Sequence, residues 1–129
     1  MARRSYVDLS RRERQIMDAI YRRGRASVSE VLDDIPDPPS YSAVRAMMGK
    51  LEEKGELAHE RDGARYVYFP LRPLEETTET VLRRMMRTFF DGSPSKAVAA
   101  VLDLSDGKLS EAELDELAEL IEDARARGR

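Results

Sequence analysis

The chain contains no cysteine. That removes disulfides, thiol nucleophiles, thiol redox sensing and thiolate metal sites together. A single histidine, His59, excludes a metal site built from several imidazoles. No apolar run approaches the roughly 18 residues that a membrane span requires. The opening residues Met1-Ala2-Arg3-Arg4-Ser5-Tyr6-Val7-Asp8 place no apolar stretch behind their arginines, as a secretory signal would. The expected address is therefore the cytoplasm, with no membrane partner. No nucleophile–base pairing, phosphate loop or ligand spacing stands out, so neither an enzyme nor a bound metal or other cofactor is expected.

What remains is a charged, patterned chain. Charged residues make up 36% of the 129 and hydrophobic residues 41%, which suits folded domains with modest cores. The net charge of −3 looks wrong for a polyanion's partner until the chain is divided. From Met1 to Arg72, 14 basic residues face 12 acidic ones, a net of +2; from Pro73 to Arg129, 8 face 13, a net of −5. Binding depends on the face presented and not on the sum.

Helix signals recur along the chain. Ser10-Arg11-Arg12-Glu13 has the spacing of a capping box, followed by an apolar stripe of Ile16, Met17 and Ile20 and a stop at Gly24. Ser27-Val28-Ser29-Glu30 opens a second helix, with Val28, Val31, Leu32 and Ile35 at helical spacing, and prolines from Pro36 to Pro39 end it. Ser40 caps a third, whose stripe is Val44, Met47, Met48 and Leu51 and whose end is Gly55. The period then changes. Leu57–Arg61 and Arg65–Phe69 read as two strands about an Asp62-Gly63-Ala64 tip, with Pro70 and Pro73 closing the hairpin. Beyond Pro73 helices return: Leu74 to Phe89 up to Asp91-Gly92, a segment opened by Ser93-Pro94, and a last one opened by the capping box Ser110–Glu113. The expected fold is mainly α with a small β-hairpin wing. Residues 1–72 form a winged helix-turn-helix and residues 73–129 a three-helix dimerisation domain.

The third helix carries the chemistry of interest. At about 100° per residue, Ser42, Ala46, Gly49 and Glu53 lie opposite the apolar stripe. Arg45 and Lys50 flank that face, with Tyr41 at its N-terminal edge. Small residues between cations would let the helix approach base edges while its margins reach phosphates. Glycine inside a helix costs about 1 kcal/mol against alanine, so Gly49 needs a reason: close approach to DNA or close packing against another helix. Arg61 and Arg65 beside the wing tip, and Arg11 and Arg12 on the first helix, could add phosphate contacts. The competing reading is an amphipathic helix with a solvated face and routine solubility charges. Tyr66 and Tyr68 are expected to pack against the helices, and His59 to be a half-buried strand residue.

Taken together, Leu9-Ser10, Glu13, Ile16-Met17, Ala26-Ser27-Val28, the run Tyr41–Gly55 and the wing Arg61–Tyr68 resemble the penicillinase and methicillin-resistance repressor family (BlaI/MecI/CopY). The resemblance covers about Leu9 to Ile121. It implies a homodimer that binds a pseudo-palindromic operator on double-stranded DNA, with the C-terminal helices interlocked. It places Ser42, Ala43, Arg45, Ala46 and Lys50 at the family's DNA-contacting positions, with Ser40 capping their helix. Arg45 matches a common family arginine; Ser42 stands where relatives often have lysine, and Ala43 and Ala46 where they often have threonine. A regulatory sensor or protease is a further implied partner. Yet the chain has no asparagine, so the Asn-Phe bond cut in β-lactam-responsive relatives is absent, and it lacks the cysteine cluster of copper-responsive ones.

The C-terminal helices expose the expected means of pairing. Val81, Leu82, Met85, Phe89, Val98, Leu102, Leu114, Leu117 and Ile121 exceed what three short helices readily hide alone. Packing of these helices onto the winged helix as one monomeric core is the alternative. At the level of function, the alternative is a winged-helix protein-interaction module that does not bind DNA.

Overall fold

The computed structural model describes residues 6–128; the reading of Arg3 and Arg4 as no part of a signal falls outside them. A 3-10 turn at Tyr6–Asp8 leads into α1 (Arg11–Arg23), α2 (Val28–Asp34) and α3 (Tyr41–Glu53). An antiparallel hairpin follows, β1 (Leu57–Asp62) and β2 (Arg65–Pro70), then α4 (Leu74–Phe89), α5 (Pro94–Leu104) and α6 (Glu111–Ala126). The protein is mainly helical, with one winged helix-turn-helix. The chain divides into two compact units, the first ending at Arg84 and the second spanning Met85–Arg129. Among the described residues no helix is long and apolar enough to cross a membrane.

All three expected capping boxes form. In α1 the Glu13 N–H donates to Ser10 Oγ at 3.2 Å, and the Ser10 N–H donates to Glu13 Oε1 at 2.9 Å. Ser27 with Glu30 and Ser110 with Glu113 repeat the exchange at α2 and α6. Each box satisfies backbone donors that a helix start leaves orphaned. At the far end of α1, Gly24 takes φ 83° and its N–H reaches back to the Ile20 carbonyl at 2.8 Å, a conformation that glycine adopts without strain.

The core of the first unit collects one stripe from each helix. Ile16 and Ile20 of α1, Val31 of α2, and Val44, Met48 and Leu51 of α3 are wholly buried with Leu57 of β1. Removing such a side chain down to alanine typically costs about 2–5 kcal/mol, so these residues hold the orientation of α3. The hairpin pairs Leu57 with Pro70 through to Asp62 with Arg65. Its loop is thus Gly63-Ala64, one residue shorter than the expected three-residue tip. Gly63 has φ 66° and Ala64 is not among the positive-φ residues. A two-residue loop of the II′ kind requires a positive φ at its first position only, which is why alanine is tolerated at the second. Ala26, between α1 and α2, exchanges backbone hydrogen bonds with Tyr68 at 2.8 and 2.9 Å and adds a one-residue bridge to the hairpin.

The second unit has a different character. No described side chain in it is buried, and α5 and α6 contribute none to any core. Phe89 is 75% exposed and Leu104 82%.

Candidate nucleic-acid interface

Polar ties join α1 to α2 and brace both ends of α3. At the end of α1, the Arg23 guanidinium donates to Asp34 at 2.6 and 3.0 Å and to Glu30 at 3.0 Å, joining α1 to α2. Arg12 donates to the backbone carbonyls of Pro36 and Asp37 at 2.8 and 3.0 Å. These carbonyls belong to the turn between α2 and α3, where Asp37 takes φ 43°. Lys54, just beyond α3, pairs with Glu13 on α1. Burial pushes the Glu13 carboxyl up, but the Lys54 ammonium and the Ser10 N–H outweigh it and hold the group below its ordinary value.

With α3 so fixed, its outer face is open. Ser40, Tyr41, Ser42, Arg45, Ala46, Lys50 and Glu53 are exposed, and Ala43 and Gly49 are partly so. Among the described residues, neither Arg45 nor Lys50 has an ion-pair partner. A Cβ added at Gly49 would meet nothing within 4 Å. Packing against another helix among the described residues therefore does not account for that glycine.

The other candidate cations are less free. Arg61 lies 5.7 Å from the Tyr66 ring centroid and its Nε donates to the Gly63 carbonyl at 3.4 Å. Arg65 is shared between Glu30 and Asp62, each at 3.6 Å. Arg11 is exposed, whereas Arg12 is committed to the turn. Charge patterning does not distinguish these cases, because Arg12 and its carbonyl partners are more than twenty residues apart.

Tyr68 packs as expected, 6% exposed, but Tyr66 does not. It shares a face of β2 with Tyr68 but sits two residues nearer the hairpin tip, where it is 43% exposed. Its ring meets His59 edge-on at 4.8 Å. His59 is itself exposed rather than half-buried, and its Nδ1 lies 2.6 Å from Glu52 Oε1, linking wing to α3.

Two features escaped the sequence reading. A cleft of about 360 Å³ opens where the start of α2, the first turn of α3 and the wing converge. At the foot of the wing, Arg72 and Glu56 form a buried ion pair at 3.0 Å, beside Tyr21, whose hydroxyl bonds the Arg72 carbonyl at 3.1 Å and Thr77 at 2.8 Å. Thr77 is buried at the start of α4. Thr77 sits at helical spacing with Leu74 and Val81, but a hydroxyl carries no apolar signal in the sequence.

A family model described as "Penicillinase repressor" matches residues 9–123. A Bacillus licheniformis protein of the same description is 24% identical over 121 residues, 92% of this chain and 93% of its own length. Among solved structures, Bordetella bronchiseptica BpsR, described for regulation of its DNA binding by 6-hydroxynicotinic acid, is 16% identical. It aligns over 92% of this chain and 76% of its own with a TM-score of 0.46. TrmBL2, an archaeal chromatin protein described with a novel mode of DNA binding, is 20% identical with a TM-score of 0.44, over 81% of this chain and 39% of its own.

Proposed function

The chain belongs to the penicillinase repressor family, and from that premise we propose that it represses transcription as a homodimer, laying one α3 in the major groove of each half of a pseudo-palindromic operator. That the protein is a transcriptional repressor follows from the family. The observation that supports the rest is the outer face of α3. Ser42, Ala46 and Gly49 are small and unobstructed, and Arg45 and Lys50 beside them are cations without partners among the described residues. Leaving two guanidinium or ammonium groups unpaired on a face with no bulk suits a surface that awaits phosphate.

In this reading Ala43, Tyr41 and Ser40 lie at the end of α3 that enters the groove, and Arg61, Arg65 and Arg11 contribute backbone contacts from the wing and α1. Arg12 acts by holding the turn before α3. Residues 1–72 supply the DNA-binding part and residues 73–129 pair the two copies, so that the half-sites fall about one helical turn apart. No catalytic step is assigned to the protein. Induction, whether through a sensor or protease or by a small ligand, uses neither an Asn-Phe bond nor a cysteine cluster, since the chain has no asparagine and no cysteine.

Selection of bound duplexes from a random pool by the purified protein, followed by salt titration of the winning site, tests the proposal. Log K should fall with log salt by about 0.9 for each phosphate neutralised. Arg45→Ala and Lys50→Ala should each weaken binding and make that slope shallower. A protein-interaction module would select no sequence and show no such dependence.

A further inference from the structure

The cleft between the wing and α3 differs chemically from the rest of the first unit. Its volume, about 360 Å³, falls within the range of small-molecule sites, about 300–1,000 Å³. Two guanidinium groups line it, Arg45 and Arg65, with the phenols Tyr41, Tyr66 and Tyr68 and the Ser29 hydroxyl; no carboxylate does. Arg45 has no ion-pair partner among the described residues, and none of these three phenols has a hydrogen-bond partner there. Arg65 is held only loosely, 3.6 Å from each of Glu30 and Asp62. Burial pushes the Tyr68 phenol up, with the Glu52 charge adding to it, so it stays a protonated donor through neutral pH. The wall thus offers the unpaired Arg45 guanidinium, three unpartnered phenols and aromatic rings, with Arg65 shared between two carboxylates at its edge.

We propose that this cleft binds a small planar monoanion of the aryl carboxylate class. The carboxylate meets Arg45 and Arg65, whose planar forks match its two oxygens. The ring lies against Tyr41 and Tyr66, which offer exposed aromatic surface. A compact inorganic anion would satisfy the arginines but leave those rings unused. Arg45 and Tyr41 also belong to the proposed DNA surface, so an occupied cleft and a bound operator compete. That regulatory consequence rests on the DNA-binding reading; binding of the anion itself does not.

Salicylate titrated into the full DNA-free chain, followed by heteronuclear NMR, tests the site. Saturable shifts are expected around Tyr41, Arg45 and Tyr66. Arg45→Gln and Arg65→Gln should each weaken binding by about tenfold, the loss of one charge-assisted contact. Both residues are exposed, so the variants keep the core, which a thermal melt verifies. Benzamide, of similar shape but neutral, should not bind. The site is refuted by no saturation at about 10 mM, where even a millimolar site would be mostly filled. Equal binding of benzamide, indifference to both substitutions, or equally tight competition by inorganic phosphate would refute it as well. In a second arm, salicylate should raise the apparent Kd of the selected duplex. Salicylate that binds without moving that Kd overturns the shared use of Arg45. Salicylate binding in a protein that selects no duplex sinks the repressor reading instead and leaves the cleft standing.

Discussion

Gly49 puts two physical demands in opposition. As a residue in the interior of α3 it lowers helix stability, because its backbone loses more freedom on folding than any other. As a residue on the outer face it removes the bulk that would hold a groove at a distance. A Cβ there meets nothing within 4 Å among the described residues, so the methyl of alanine has room in the free protein. Gly49→Ala is therefore expected to raise stability by about 0.5–1 kcal/mol, seen as a higher Tm, while lowering affinity for the selected duplex. A variant that gained stability and kept full affinity would remove Gly49 from the contact surface. Arg12 shows the converse at the same scale: a cation that resembles a phosphate ligand in sequence is spent on two backbone carbonyls.

Helix α3 is held at its start by the Arg12-braced turn and at its end by the Lys54–Glu13 pair. Glu13 also completes the capping box of α1, so one carboxylate serves two elements. Its folded value lies below the ordinary 4.5. A depressed carboxylate contributes stability that is present above its unfolded value and is lost as pH falls through the folded one. Thermal melts should therefore show Tm falling as pH drops below about 4.5, the unfolded reference. Glu30, lowered chiefly by the Ser27 N–H, adds a contribution of the same sign at α2. Glu13→Gln should be less stable at neutral pH and show a shallower acid limb. An acid limb identical to that of the wild type would mean that Glu13 does not carry this linkage.

For the whole molecule, the second unit carries the decisive surface. Its 45 residues, Met85–Arg129, bury no described side chain, and isolated domains near that size are marginal. Of its residues expected to pair, Met85, Phe89, Val98, Leu102, Leu114 and Ile121 are exposed and Leu117 is partly covered; Val81, partly covered, and Leu82, exposed, belong to the part of α4 in the first unit. Val101, Leu104 and Leu120, at 60, 82 and 64% exposed, were not among the residues expected to pair, and they extend the apolar surface of α5 and α6. If two copies associate through these helices, Tm should rise with protein concentration, because a partner that binds only the folded state stabilises it by mass action. Leu102→Glu with Ile121→Glu should yield a monomer by sedimentation and weaken operator binding. A wild-type chain that sediments as a monomer at all concentrations would end the dimer proposal.

The order of elements was legible because its signals are local. A serine three residues before a glutamate, an apolar residue every third or fourth position and a glycine at a positive-φ stop act over a few residues and produced the expected helices, while the Asp-Gly pair marked the hairpin but not the length of its loop. The same held for the side of α3 that faces away from Val44, Met48 and Leu51, since helical period alone sets it. What only the tertiary structure decided was which charges are free. Lys54 finds Glu13 across 41 positions of chain and Arg12 finds Pro36 across 24. Arg72 sinks beside Glu56, while Arg45 and Lys50 remain unpaired among the described residues. The cleft beside the wing belongs to the same class, because it exists only where three elements distant in sequence meet. Coulomb interactions and cavities depend on distance through space, and a residue's neighbours along the chain do not encode that distance.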